Sequence, residues 1–255
     1  MTVLVIGAAG SIGRLVVEKA LRRHAVRALV RDPAKAGALN DGARILVGDV
    51  TRPETLAGVT DGIDAVVFTL GSDGAGKLGA ESVDYGGVRN VLRALRPRTA
   101  RIALMTAIGV TNRTGKYNRS TQAHDWKRRA ERLVRASGLP YTIVRPGWFD
   151  YNGTDEHRLV LLQGDRRQAG DPTDGAVARH QIAEVLVASL TSDQALRKTF
   201  ELIAARGPAP HDLDALFGAL DPDTPGVLDA VRDIDNMPPD QEPKLVRNDL
   251  AELFS

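Results

Sequence analysis

Apolar runs four to six residues long alternate with amphipathic stretches along most of the chain. Val3-Leu4-Val5-Ile6 is such a run, and the positions after it switch to helical spacing at Ile12, Leu15, Val16 and Ala20. The same alternation predicts strands at Ala25–Val30, Arg44–Gly48, Asp64–Leu70, Arg101–Thr106 and Tyr141–Arg145, the last stopped by Pro146-Gly147. Between them, short helices are expected at Pro33–Leu39 and Pro53–Ala57. A longer helix carries Val88, Val91, Leu92 and Leu95 on one face. Another runs from about Thr121 to Ser137, with Ala123, Trp126, Ala130, Leu133 and Val134 in one stripe and Gly138 at its C-terminal cap. Continuous apolar strands are buried on both faces, and strand–helix alternation implies a doubly wound parallel sheet in an α/β fold.

The periodicity loosens after Phe149. A strand at Arg158–Gln163, a helix at Gln181–Leu190 with Ile182, Val185, Leu186 and Ser189 on one side, and a strand at Thr199–Ala204 are expected. The stretch from Gly207 onward is rich in Pro and Asp, with helical pieces at Leu213–Leu220 and Leu245–Phe254. Residues 1–205 therefore read as one nucleotide-binding domain of Rossmann type, and 206–255 as a small helical appendage. That appendage packs on the domain or on a second subunit, as in a homodimer.

Composition narrows the function. The chain has 255 residues, 43% apolar and 26% charged, as a soluble globular protein would. Its 34 basic and 32 acidic residues leave a net charge of +2, too small an excess for a nucleic-acid face. The Arg-rich stretches Arg93–Arg101 and Lys127–Arg135 read as solvated helix faces. With no cysteine, thiolate metal sites, disulfides and Cys nucleophiles are excluded. His157 and His180 are too scattered for a metal site. No apolar run approaches the ~18 residues of a membrane span, and a strand starting at Thr2 leaves no room for a signal peptide. A cytoplasmic protein acting on a small molecule is expected.

Gly7-Ala8-Ala9-Gly10-Ser11-Ile12-Gly13 joins the first strand to the first helix. Such a turn cradles a dinucleotide pyrophosphate. Gly7 permits the turn, Gly10 lets the backbone approach the phosphates, and Gly13 lets the helix pack closely. The helix start, with Ala9, Ser11 and Ile12, offers free N–H groups. At the end of the second strand Arg31 takes the place where an acid would hold the ribose diol of NAD. A guanidinium there suits a ribose 2′-phosphate, with Arg14 and Lys35 adding charge, so NADP(H) is favoured over NAD(H). Asp32 competes with this reading, since it could accept from a ribose hydroxyl. Asp49 and Val50 after the third strand, and Thr69-Leu70-Gly71 after the fourth, fall where the adenine and the cofactor's middle would lie.

These residues, with Val30-Arg31-Asp32 and Tyr141-Thr142-Ile143-Val144-Arg145-Pro146-Gly147, resemble the short-chain dehydrogenase/reductase superfamily, and more narrowly its atypical NmrA-like NAD(P)-binding branch. The resemblance covers about residues 1–205. It implies a hydroxyl after the fifth strand that holds the substrate carbonyl, a Tyr that donates the proton, and a Lys four residues later that holds the nicotinamide ribose. Thr106 and Lys127 match the hydroxyl and the lysine. Ala123 stands where the tyrosine should be. Tyr117 and His124 are the substitutes, although a continuous helix from Tyr117 to Lys127 would hold the two ~15 Å apart, so Tyr117 needs a loop that folds back. Pro146 and Gly147 would meet the nicotinamide carboxamide, and the aromatics Trp148, Phe149 and Tyr151 would line a substrate pocket. Two readings follow: an NADP-dependent reductase of a small carbonyl or quinone-like substrate, or a non-catalytic NADP(H)-binding redox sensor. A sugar-nucleotide epimerase or dehydratase ranks third, because it needs the tyrosine.

Overall fold

In the computed structural model, which describes residues 1–39, 41–72 and 74–254, the apolar runs lie side by side. The strands are β1 (Thr2–Ile6), β2 (Ala25–Val30), β3 (Arg44–Val47), β4 (Ala65–Phe68), β5 (Arg101–Met105), β6 (Tyr141–Pro146), β7 (Trp148–Phe149), β8 (Arg158–Leu162), β9 (Ala176–Val177) and β10 (Lys198–Ala205). Eight of them form one sheet in the order β3-β2-β1-β4-β5-β6-β10-β8, and β7 pairs separately with β9. The order reverses at β1, which pairs in parallel with β2 on one side and β4 on the other. Loops on the two sides of such a switch point diverge and leave a crevice beyond the strand ends.

The parallel expectation fails at one edge. The strand at Arg158–Leu162 runs antiparallel to β10, because it is the outermost strand, and an antiparallel edge is common on an otherwise parallel sheet.

The helices are α1 (Ser11–Leu21), α2 (Gly76–Gly79), α3 (Gly86–Leu95), α4 (Lys116–Thr121), α5 (Ala123–Ala136), α6 (Arg179–Ser189), α7 (Leu213–Gly218) and α8 (Lys244–Phe254). A π-helical turn, Ala80–Tyr85, joins α2 to α3. Side chains alternate across each strand, so one strand feeds two cores. Val3 and Val5 pack towards α1 and α6, whereas Leu4 and Ile6 pack towards α3 and α5. Pro33–Ala38 and Pro53–Leu56 are 3₁₀ turns where short helices were expected. The segment Gly76–Tyr85, α4 and the β7–β9 pair were not anticipated.

The largest departure concerns charge. Twelve of the fourteen residues of α5 are buried, among them Arg128, Arg129, Arg132 and Arg135, so this stretch is not a solvated face. The C-terminal segment lies over α5 of its own chain and brings acids to each guanidinium. Asp229 accepts from Arg128 at 3.0 Å and from Arg132 at 2.6 Å. Glu242 accepts from Arg129 at 2.6 Å and from Arg132 at 2.8 Å, and Asp223 accepts from Arg135 at 3.2 Å. Buried charges persist only when paired and hydrogen-bonded, and these are. Among the described residues no helix is long and apolar enough to cross a membrane.

Candidate functional site

Beyond the C-terminal ends of β1 to β5 lies a cleft of about 710 Å³. Its centre is the turn between β1 and α1. Gly7 has φ +84°, and a Cβ on it would lie 2.8 Å from the Thr69 carbonyl oxygen. A Cβ on Gly13 would lie 2.1 Å from the Gly7 carbonyl oxygen, so glycine alone lets α1 sit against the turn. No side chain caps α1 at Gly10, and its first turn holds no acid. The first-turn N–H groups and the helix dipole are thereby left to an anion in the cleft. Gly7, Ala9, Gly10, Ser11 and Ile12 line this part, whereas Gly13 lies beneath it. The residues present fit a dinucleotide pyrophosphate.

At the β2–β3 end the cleft is lined by Arg31, Asp32, Lys35, Asp49 and Val50. Asp32 caps the Pro33–Ala38 turn, accepting from the Ala34 N–H at 3.0 Å. Asp49 accepts from the Thr51 N–H at 2.9 Å and from its hydroxyl at 2.7 Å. Burial would raise the Asp49 carboxyl, but these two bonds and the charges of Arg31 and Arg52 hold it below the usual carboxylate range. Arg14 is not among the residues that line the cleft, and its Nε donates to the Ala9 carbonyl at 2.9 Å. Thr69, Leu70 and Gly71 line the middle.

Thr106, Lys127 and Phe149 line the far end. Lys127 Nζ lies 2.9 Å from Asp84, which also accepts from the Ser72 hydroxyl at 2.7 Å. Asp84 sits in the π-helical turn, whose extra residue changes the helical register there. The Thr106 hydroxyl donates to Glu131 at 2.7 Å. Burial opposes the charge on Glu131, but Arg145 and Arg135 overcome it and hold this carboxyl low. A hydroxyl has one proton, so Thr106 so placed can only accept from a substrate. This corrects the expectation that it donates to a carbonyl.

Neither substitute for the tyrosine lines the cleft. Tyr117 lies on α4 rather than on a loop that folds back, and its exposed ring packs 5.1 Å from that of His124. Burial lowers the proton affinity of His124, and its Nδ1 is buried without a partner. Pro146 ends β6, and the Gly147 N–H donates to the Leu202 carbonyl, so both are bound into the sheet. Trp148 stacks edge-on with Tyr151 at 6.1 Å, outside the cleft lining. Of the described side chains that line the far end, Lys127 is the charged one.

Three residues at the site were missed. Glu131 stands four residues after Lys127 on the same helix, a spacing that could have revealed it. Asp84 could not be found, because helical spacing misplaces a residue in a π turn. Arg179 opens α6, 168 positions from Ser11, whose hydroxyl accepts from its Nε at 3.1 Å. It also pairs with Asp150 and lies over the Phe149 ring, 5.3 Å from its centre.

Known proteins resemble this chain in sequence and in fold. The NAD(P)H-binding family model matches residues 7–193. A sanguinarine reductase of Eschscholzia californica is 29% identical over 262 residues, across 85% of this chain and 95% of its own. A photosystem II assembly factor of Synechocystis is 29% identical over 210 residues, across 81% of this chain and 63% of its own. A solved Bacillus halodurans protein, described as an NAD-dependent epimerase/dehydratase, superposes with a TM-score of 0.69 at 24% identity, covering 86% of this chain and all of that one. At that identity the likeness is one of fold.

Proposed function

Because the chain belongs to the NAD(P)H-binding family, we propose that it is an NADP-dependent reductase whose acceptor is quinone-like rather than a simple aldehyde or ketone. Bound in the cleft, the nicotinamide cofactor supplies a hydride. The α1 N-terminus and the glycine turn hold the pyrophosphate, Arg31 and Lys35 the 2′-phosphate, and Lys127 the nicotinamide ribose. Phe149 gives the acceptor an apolar wall.

One observation carries the choice of acceptor. Among the described residues, the far end of the cleft has no side chain ready to hand over a proton: Thr106 gives its proton to Glu131, and Lys127 is paired with Asp84. An alkoxide left by a simple carbonyl needs an acid at hand. A quinone spreads the incoming charge over its ring and takes its proton later from water. A relative named as a sanguinarine reductase supports reduction as the activity.

The same gap favours a second reading, a non-catalytic NADP(H) sensor. Steady-state oxidation of NADPH with a series of benzoquinones, naphthoquinones and aliphatic aldehydes separates the two. The reductase turns over quinones, with a rate level between about pH 6 and 9, and leaves aldehydes unreduced. Tight NADPH binding with no turnover of any acceptor establishes the sensor instead.

A further inference from the structure

A second cavity, of about 360 Å³, opens between β8, β10 and the C-terminal segment. Its lining shares no residue with the nucleotide cleft. The volume lies within the roughly 300–1,000 Å³ usual for small-molecule sites.

Strand register sets its floor. Arg145 on β6 stands opposite Glu201 on β10, which stands opposite Leu162 on β8. Arg145 is already committed. It donates to Glu131 at 3.0 and 2.7 Å and to Asp233 at 2.8 and 2.7 Å, and reaches Glu201 only at 3.5 Å. Three carboxyls thus share one guanidinium, and Glu201 has the weakest hold on it. Burial, reinforced by the charges of Asp165 and Asp233, outweighs the Arg145 charge and a hydrogen bond from the Asp165 backbone and pushes the Glu201 carboxyl up to about 8. Near neutral pH it is mostly protonated and can donate from the cavity floor.

The rim has the opposite character. Arg166 and Arg167 are exposed, and among the described residues neither has an acid within ion-pair distance. Arg232, also on the rim, is neutralised by Asp221. Between rim and floor, Ile108, Leu162 and Leu220 supply apolar wall beside Gln163, whose amide is taken up by the Thr199 and Asp221 backbone. Paired guanidinia recognise a carboxylate through their planar forks. A buried carboxyl with spare hydrogen-bonding capacity favours a ligand that meets it.

We propose that this cavity is a binding site for a small hydroxy acid, with its carboxylate on Arg166 and Arg167, its apolar body against the leucines, and its far hydroxyl on Glu201. The inference is independent of the nucleotide reading. Calorimetry of the full chain with 4-hydroxybenzoate and with benzoate tests it. The wild type binds 4-hydroxybenzoate more tightly than benzoate. Replacing both rim arginines (Arg166→Ala with Arg167→Ala) weakens 4-hydroxybenzoate about tenfold or more, while thermal unfolding and NADPH affinity stay as in the wild type. Glu201→Gln retains an amide that can bond the hydroxyl and so keeps the preference, whereas Glu201→Leu abolishes it. Absence of binding to the wild type, or equal affinity in the double-arginine variant, overturns the site. Equal binding of the two acids by the wild type overturns the role of Glu201.

Discussion

At the scale of single residues, the nucleotide cleft turns on one charge and one missing side chain. Arg31 follows β2 directly, acts on Asp49 and lines the cleft. In Arg31→Asp a carboxylate would repel a 2′-phosphate and accept from a ribose diol. NADPH binding should weaken about tenfold or more, and the NADPH-to-NADH preference should reverse, as read from the two dissociation constants. An unchanged ratio would remove Arg31 from cofactor selection. Gly13 makes a separate demand. In Gly13→Ala the new methyl meets a backbone oxygen, at 2.1 Å before any adjustment, and a backbone atom cannot step aside as a side-chain end can. The variant should lose about 1–3 kcal/mol or more of stability in denaturant titrations, and nucleotide binding with it. A wild-type midpoint would mean that α1 can pivot away from the turn.

Secondary-structure elements explain what sequence could and could not reveal. The strand–turn–helix unit was legible because its signals lie within a dozen residues and obey local rules. The layered sheet was legible because its central strands β1, β4, β5 and β6 are almost wholly buried apolar runs. Helix α5 was half legible: its apolar stripe, Ala123, Trp126, Ala130, Leu133 and Val134, is buried as expected. Its opposite stripe of arginines was misjudged, because a buried arginine and a solvated one look alike until their partners are known. Those partners, Asp223, Asp229 and Glu242, come from the distant C-terminal segment. Lys127 was picked out through the family resemblance and lines the cleft, but its pairing with Asp84 was not foreseen, since a π turn obeys no helical spacing. The α5 pairing has a measurable consequence. Glu242→Ala leaves Arg129 with the face of Trp126, 4.5 Å from its ring centre, and deprives the fully buried Arg132 of one of its acids. Removing one member of a buried pair typically costs about 3–5 kcal/mol. A loss of that order in urea titrations is expected, and a loss under about 1 kcal/mol would mean that water reaches these guanidinia.

For the whole molecule, the buried carboxyls pull stability in two directions as pH changes. Burial works against the charge of both Glu131 and Asp229, but their arginines prevail and hold the two carboxyls below their usual range. Such groups stabilise the fold above their unfolded-state values, and that contribution is lost as acid titrates them in the native state. Glu201 acts in reverse. Its carboxyl moves from 4.5 to about 8, driven first by burial. Between those values the folded chain holds a proton that the unfolded chain has released, so stability declines as pH rises through that window and levels off above it. At about 1.36 kcal/mol per pH unit of displacement, the decline is at most about 5 kcal/mol. Glu201→Gln deletes the titration while keeping a neutral, hydrogen-bonding side chain on the cavity floor. Urea midpoints at pH 5, 6.5, 8 and 9 should fall steadily for the wild type until about pH 8 and stay more nearly level for the variant. Both proteins should keep the same acid limb, since Glu131 and Asp229 are untouched. Parallel curves across the whole range would mean that Glu201 is ionised in the folded chain, and that Arg145 holds three carboxylates at once.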